Sequence, residues 1–238
     1  MKYFVFLLVF CNVGCQQLST DDVGIDVSNY QSVINWSSVR KQNPNLKFAI
    51  VKGTEGASYR DPSLVRNFND AKQAGLRVGM YHYFRMSSTP AAQFENIQKA
   101  LKAIKFDPAK DIFAIDFETT QTDIGLRPPK SKAQKLRISN RLYQLAQILS
   151  NRVGIQPLIY TNPSSWNSLS DQSTRFNKFK LWIAQYMTTG KPIIPKPWSN
   201  YYIWQYTDQG SVSGIRGRVD MNLVGGTGND IKGSKKAF

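Results

Sequence analysis

Cysteine is nearly absent from this chain of 238 residues: Cys11 and Cys15 are the two, and both fall before residue 20. From there onward no disulfide is available, so stability has to come from core packing. Histidine occurs once, as His82. No His/Cys/Asp cluster has metal-ligand spacing, and neither a Gly-rich phosphate loop nor a Ser-His-Asp set is present, so no metal and no cofactor are expected. Acids are scarce, 16 against 31 Lys and Arg, for a formal net charge of +15. That surplus favours an acidic partner: nucleic acid, an anionic membrane or an anionic wall polymer. Hydrophobic content of 41% and charged content of 20% are ordinary for a globular protein and argue against disorder.

Long apolar runs are missing too, except at the start. "MKYFVFLLVFCNVG" carries one Lys, an apolar stretch from Tyr3 to Phe10 and then small residues. This pattern reads as a secretory signal peptide over residues 1–19, too short for an integral membrane span. "NVGC" also reads as a lipoprotein leader with Cys15 as the lipidated residue, although Asn12 stands where Leu is usual. Secretion is therefore expected, with a lipid anchor on Cys15 as the alternative. Residues 20–238 are long enough for one domain with a sizeable core. No repeat or low-complexity block appears apart from a Gly-rich, basic tail after Leu223.

Eight short runs have strand composition: "GIDVS" (24–28), "FAIVKG" (48–53), "VGMYHYF" (78–84), "IFAIDFE" (112–118), "PLIYT" (157–161), "LWIAQY" (181–186), "YYIWQYT" (201–207) and "VDMNLV" (219–224). Helical stretches separate the early ones. Residues 61–75 offer Asp61 as N-cap, Pro62 in the first turn, an apolar face of Leu64, Val65, Phe68 and Ala71, and Gly75 as the stop. Residues 90–105 form another helix. Residues 131–151 form a third, with Leu136, Leu142, Leu145, Ala146 and Leu149 at helical spacing. Strand–helix alternation implies a parallel sheet. After Tyr186 the prolines of "KPIIPKPW" and a turn-rich stretch leave no room for long helices, and strands joined without a crossover can run antiparallel. The expected fold is α/β: an irregular TIM-like barrel of eight strands and about five helices, (β/α)5(β)3.

"AIDFE" (114–118) places two carboxylates inside an apolar run. Residues i and i+2 of a strand share a face, so Asp116 and Glu118 point together into the barrel, at the C-terminal strand end where barrel enzymes do chemistry. Phe113, Ile115 and Phe117 point outward. Two adjacent acids repel, so one keeps its proton near neutral pH, which is the equipment of a glycosidase. Asp26 on the first strand and Asp220 on the last add two more acids, because first and last strands of a closed barrel are neighbours. Tyr81, Tyr160, Tyr186 and Trp204 lie at strand ends as candidate sugar platforms. Glu55 ends the second strand, placed either to bind substrate or to hold a neighbouring Tyr or Lys. His82 alternates with Tyr81 and reads as a core residue facing the helices.

In this order, "GIDVSNYQ", "FAIVKGTEG", "VGMYHYF", "AIDFE", "LIYT", "LWIAQY", "WQYT" and "VDMN" resemble the glycoside hydrolase family 25 lysozymes, the Chalaropsis-type muramidases, from about Gly24 to Leu223. The resemblance implies cleavage of the β-1,4 bond from N-acetylmuramic acid to N-acetylglucosamine in peptidoglycan. It also implies Glu118 as proton donor, Asp116 as the adjacent carboxylate, and Asp26 and Asp220 as supporting acids. Gly53 in "KGTEG" stands where Ala is common, and Phe117 where an aliphatic residue is common. The expected mechanism is substrate assistance by the N-acetyl group, with Glu118 as general acid and base and Asp116 stabilising the intermediate; a covalent intermediate on Asp116 and inversion by a distant base are the alternatives. The expected partners are peptidoglycan and anionic wall polymers, with the chain a monomer. A nucleic-acid binder would explain the charge but neither the leader nor the acids. A chitinase would carry a middle acid where "DIFAIDFE" has Ala114. A non-catalytic wall-binding protein would use the barrel and aromatics without needing both Asp116 and Glu118.

Overall fold

The computed structural model describes residues 18–119, 129–187 and 189–225. Nearly all of the proposed leader, with Cys11 and Cys15, and the basic tail from residue 226 lie outside the described residues. Each of the eight strand-like runs forms a strand: β1 (Val23–Val27), β2 (Leu46–Glu55), β4 (Arg77–Tyr83), β5 (Ile112–Asp116), β6 (Leu158–Thr161), β7 (Leu181–Ala184), β8 (Ile203–Gly210) and β9 (Val219–Val224). A two-residue strand, β3 (Tyr59–Arg60), folds back on the end of β2 and was not legible in the sequence. The sheet runs β1-β9-β8-β7-β6-β5-β4-β2 and closes by a β1–β2 pairing. Within the closed barrel all pairings are parallel except those of β9, which is antiparallel to both β8 and β1; the appended β3 is antiparallel to β2. Five helices, α1 (Trp36–Gln42), α2 (Leu64–Gln73), α3 (Pro90–Ala103), α4 (Lys132–Val153) and α5 (Pro163–Leu169), fill the connections up to β7. The result is the expected (β/α)5(β)3 barrel.

Helix boundaries follow local chemistry. Ser131 caps α4 in a capping box with Gln134, and Gly154, at φ 72°, ends it. Leu142, Leu145, Ala146 and Leu149 are buried under α4, whereas Leu136 is exposed one turn from the helix start. Asp61 is not the N-cap of α2; that position belongs to Ser63. Asp61 sits two residues earlier, where its Oδ1 accepts from Ser63 N (2.8 Å) and its Oδ2 from Asn29 N (3.0 Å). Val65 is exposed, because it follows Leu64 by a single step of about 100° around the helix. The short α1 and α5, seven residues each, give too little periodicity to be read from sequence.

The barrel has two packed layers. Phe48 and Ile50 of β2, Ile112 and Ala114 of β5, Tyr160 of β6 and Trp182 of β7 fill its inside. Phe113, Ile115 and Phe117 point outward to the helices, with Leu142, Leu145 and Leu149 of α4 in the same outer core. Phe117 packs against Phe84 (5.9 Å between ring centroids) and edge-on against Trp166 (5.7 Å), a space an aliphatic side chain would not fill. Gly53 is also explained by packing. A Cβ there would lie 2.5 Å from Met80 Cε and 2.7 Å from its sulfur, so Met80 occupies the volume an Ala would need. His82 is fully buried on the outward face, with Nδ1 against Thr54 Oγ1 (2.7 Å) and Nε2 against Gln93 Oε1 (3.0 Å). Burial pushes its pKa down to about 4, so it is neutral. Among the described residues, no helix is long and apolar enough to cross a membrane.

Candidate active site

The end of β5 delivers Asp116 and, two residues on, Glu118 to the inner face of the barrel mouth. The backbone beyond the strand is fixed from both sides. Phe84 N donates to Asp116 O (2.9 Å), Phe117 N to Tyr160 O (2.8 Å) and Thr161 Oγ1 to Phe117 O (2.7 Å). Tyr83 Oη donates to Glu118 O (3.2 Å). Asn162, which caps α5 by accepting from Ser165 N (2.8 Å), reaches Glu118 Oε2 with its amide nitrogen at 3.5 Å. Asp116 is buried, and its Oδ1 has no hydrogen-bond partner. A buried acceptor left unpaired is costly, so it marks a place where a ligand donor fits.

The second pair of acids comes from β1 and β9, where Asp26 and Asp220 are directly opposed. Asp26 Oδ2 accepts from Gln205 Nε2 (2.9 Å) and Asn222 Nδ2 (2.7 Å). Those amides are themselves oriented: Trp182 Nε1 donates to Asn222 Oδ1 (2.8 Å), and Tyr160 Oη (2.9 Å) and Tyr186 Oη (3.2 Å) donate to Gln205 Oε1. The network runs around the inner face of the barrel mouth from β6 to β1 and leaves Asp26 as its acceptor terminus.

All four carboxyls are held above their ordinary pKa. Burial raises Asp116 well above it, and the neighbouring Glu118 charge adds to that. Burial, then Asp26, pushes Glu118 up to about 7, against the opposing hydrogen bond from Asn162. Asp220 is pushed up to about 8 by burial and by Asp26. Asp26 is raised by burial against the opposing donors Asn222 and Gln205. Lys52, on the inner face of β2, favours ionisation of Asp116 and Glu118. Each acid pair thus retains a proton near neutral pH.

A cavity of about 200 Å³ opens at this mouth, lined by Asp26, Tyr81, Asp116, Glu118, Tyr160, Trp182, Tyr186, Gln205 and Asp220. It gathers the four candidate acids and three of the candidate aromatics. One expectation fails on geometry, and of the two roles open to Glu55 the structure shows the holding one. Trp204 is fully buried on the outward face of β8, its Nε1 donating to Gln185 O (2.8 Å), so it cannot meet a sugar. Glu55 is absent from the lining because its carboxylate is held by Lys52 (2.8 Å) and by Arg85 Nε (3.0 Å); it takes the holding role. Trp182 and Gln205 are the lining residues missed by sequence reading. Strand alternation held the signal: Ile203 faces inward, so Gln205 does and Trp204 does not. Among the described residues, no group of three or more His, Cys, Asp or Glu side chains is arranged to hold a metal ion.

Known proteins resemble this chain over most of its length. The family model described as "Glycosyl hydrolases family 25" matches residues 25–215. The uncharacterized protein YegX of Escherichia coli O6:H1 is 31% identical over 213 residues, covering 88% of this chain and 72% of that one. Lysozyme M1 of Streptomyces globisporus is 30% identical over 209 residues, covering 86% of this chain and 68% of its own. The crystal structure of the bacterial lysozyme from Streptomyces coelicolor superposes with a TM-score of 0.75 at 27% identity, covering 87% of this chain and 94% of that one.

Proposed function

The chain belongs to glycosyl hydrolases family 25, a lysozyme-type glycoside hydrolase of peptidoglycan, and from that premise we propose that it cleaves the β-1,4 bond from N-acetylmuramic acid to N-acetylglucosamine. Glu118 acts as general acid and then general base, and Asp116 acts on the substrate's acetamido group. The observation that carries this reading is the unpartnered Oδ1 of Asp116, buried beside a carboxyl pushed up to about 7. An acetamido N–H donating to that oxygen stabilises the ionised form of Asp116 and leaves the proton of the pair on Glu118. The acetamido oxygen then attacks the anomeric carbon as Glu118 protonates the departing glycosidic oxygen. Asp116 balances the positive charge of the resulting oxazolinium ring. Water next attacks the anomeric carbon, gives a proton to Glu118, and reopens the ring with net retention. Asp26 and Asp220, through Gln205, hold Tyr160 and Tyr186 in place around the sugar.

Incubation with purified peptidoglycan tests the proposal. The expected result is loss of turbidity with N-acetylmuramic acid as the new reducing end, formed with retained configuration. Binding without release of reducing sugar would leave a wall-binding protein instead. A glycosyl ester on Asp116 would replace substrate assistance by covalent catalysis, and an inverted product by a distant base.

We also assign the cationic surplus to anionic wall polymers. From residue 124 to residue 207 the single acid is Asp171, and it is paired with Arg175 (2.8 Å). Lys132, Arg137 and Lys178 on this side of the barrel are exposed. Export through the N-terminal leader brings the enzyme to such polymers. Mass spectrometry of the mature N-terminus is expected to show a free end after Cys15; a diacylglyceryl adduct on Cys15 would replace secretion by anchoring, and a retained Met1 would remove both.

A further inference from the structure

The acids sit on two opposite walls of the mouth. In the closed order β1-β9-β8-β7-β6-β5-β4-β2, the strands β2 and β7 are four places apart in either direction, so they are diametrically opposed. A line from β2 to β7 leaves β1 and β9, with Asp26 and Asp220, on one side. It leaves β5, with Asp116 and Glu118, on the other. The two ends of that line carry exposed aromatics. Tyr186 follows β7 and is half exposed. Tyr59 of β3, folded onto the end of β2, is 41% exposed, and Tyr30, after β1, is 87% exposed.

Tyr30 and Tyr59 stand on anchored backbone. Tyr30 belongs to a one-turn 3-10 helix (Asn29–Gln31) closed by a Ser28–Gln31 capping box. Asp61 joins that turn to the residues after β3, accepting from Asn29 N (3.0 Å) and Ser63 N (2.8 Å). The buried Asn96 of α3 donates to Tyr59 O (2.9 Å) and to Gly56 O (3.1 Å). Lys52 Nζ lies 5.5 Å from the Tyr59 ring centroid, which pins the ring from the catalytic side. Through Asp61 the turn that carries Tyr30 is tied to the chain that leaves β3, so the two rings stand on one braced stretch of backbone. Exposed rings on rigid supports lose little conformational entropy when they bind, and their faces suit the apolar C–H faces of sugars.

We propose that the glycan strand crosses the mouth between the Tyr30–Tyr59 shelf and Tyr186, passing between the two acid walls, and that the shelf binds a sugar beyond the two joined by the scissile bond. The proposal rests on the muramidase reading and adds a chain-length preference to it. The enzyme then acts on glycan strands rather than on minimal fragments.

The test compares kcat/KM on a short muropeptide with that on long glycan strands, for the full chain and for Tyr30→Ala, Tyr59→Ala and Tyr30→Trp. The wild type is expected to favour the long substrate. Tyr30→Ala and Tyr59→Ala should each cut that preference by about three- to tenfold, the scale of one aromatic contact, and Tyr30→Trp should keep it. Val65→Ala, an exposed site on α2, serves as control. A wild type without length preference, or alanine variants with an unchanged long-to-short ratio, would overturn the shelf while leaving the muramidase reading standing. A wild type that releases no reducing sugar from either substrate would instead remove that reading and the shelf with it. Circular dichroism of each variant guards against misfolding, and the ratio of the two substrates is insensitive to the fraction folded.

Discussion

Asp26 and Asp220 face each other across the β1–β9 pairing and share a hydrogen bond, although like charges directly opposed on two strands are destabilising. The asymmetry of their partners decides which one ionises. Asp26 has the amides of Gln205 and Asn222 pointing at it, and Asp220 has the charge of Asp26. The proton therefore rests on Asp220 until the pH rises past about 8.

A stability consequence follows with a definite sign. The folded-state pKa of Asp220 lies above its ordinary value, so the stability it contributes is present at low pH and lost as pH rises through about 8. Asp220→Asn removes that dependence. The Tm difference between Asp220→Asn and wild type should move in favour of the variant between pH 6 and about pH 9. Parallel Tm curves over that range would contradict the shared proton.

Glu118→Gln keeps the shape of the side chain and its reach to Asn162 but cannot supply a proton. Release of reducing sugar should fall by at least ~10²-fold, the usual scale of a lost general acid, with an unchanged circular dichroism spectrum. A folded Glu118→Gln protein lysing cell walls at near-normal rate would falsify the assignment.

The alkaline limb of kcat/KM should fall near pH 7, where the Glu118 carboxyl loses its proton. Asp26 helps to hold that value up. In Asp26→Asn, which keeps an oxygen for Gln205 or Asn222, the limb should move to lower pH. A limb that stays in place would mean that Asp26 acts on substrate rather than through Glu118.

Gly53→Ala, a change that looks innocuous in sequence, should cost about 1–3 kcal/mol of stability because the new methyl meets Met80. Met80→Val in the same chain should recover part of the loss. Urea denaturation of the two single variants and the double variant reads the coupling.

Binding to intact sacculi should weaken as salt rises from ~0.05 to ~0.5 M, because the Debye length falls well below ~10 Å over that range. Cleavage of a small neutral muropeptide analogue should respond much less. Equal salt sensitivity for both substrates would place the effect of charge in the cleft instead of on the α4 side.

The sequence by itself determined the barrel and its acid cluster. Strand composition in eight runs, helical spacing in the three longer helices and the i, i+2 placement of Asp116 and Glu118 are local properties of the chain. They survive folding because each buries an apolar face in one direction. What only the tertiary structure decided is what depends on residues far apart in the chain. Trp204 and Glu55 looked available for sugar, but one faces the outer core and the other is held by Lys52 and Arg85. Nothing in the local sequence sets Gln205 apart from other strand residues. Its importance arises from three oxygens brought to it, those of Asp26, Tyr160 and Tyr186. The proton placement on each acid pair, the unpaired oxygen of Asp116 and the opposition of β2 and β7 exist only once the barrel closes. Closure fixes distances and dielectric together, and neither is written in any short stretch of sequence.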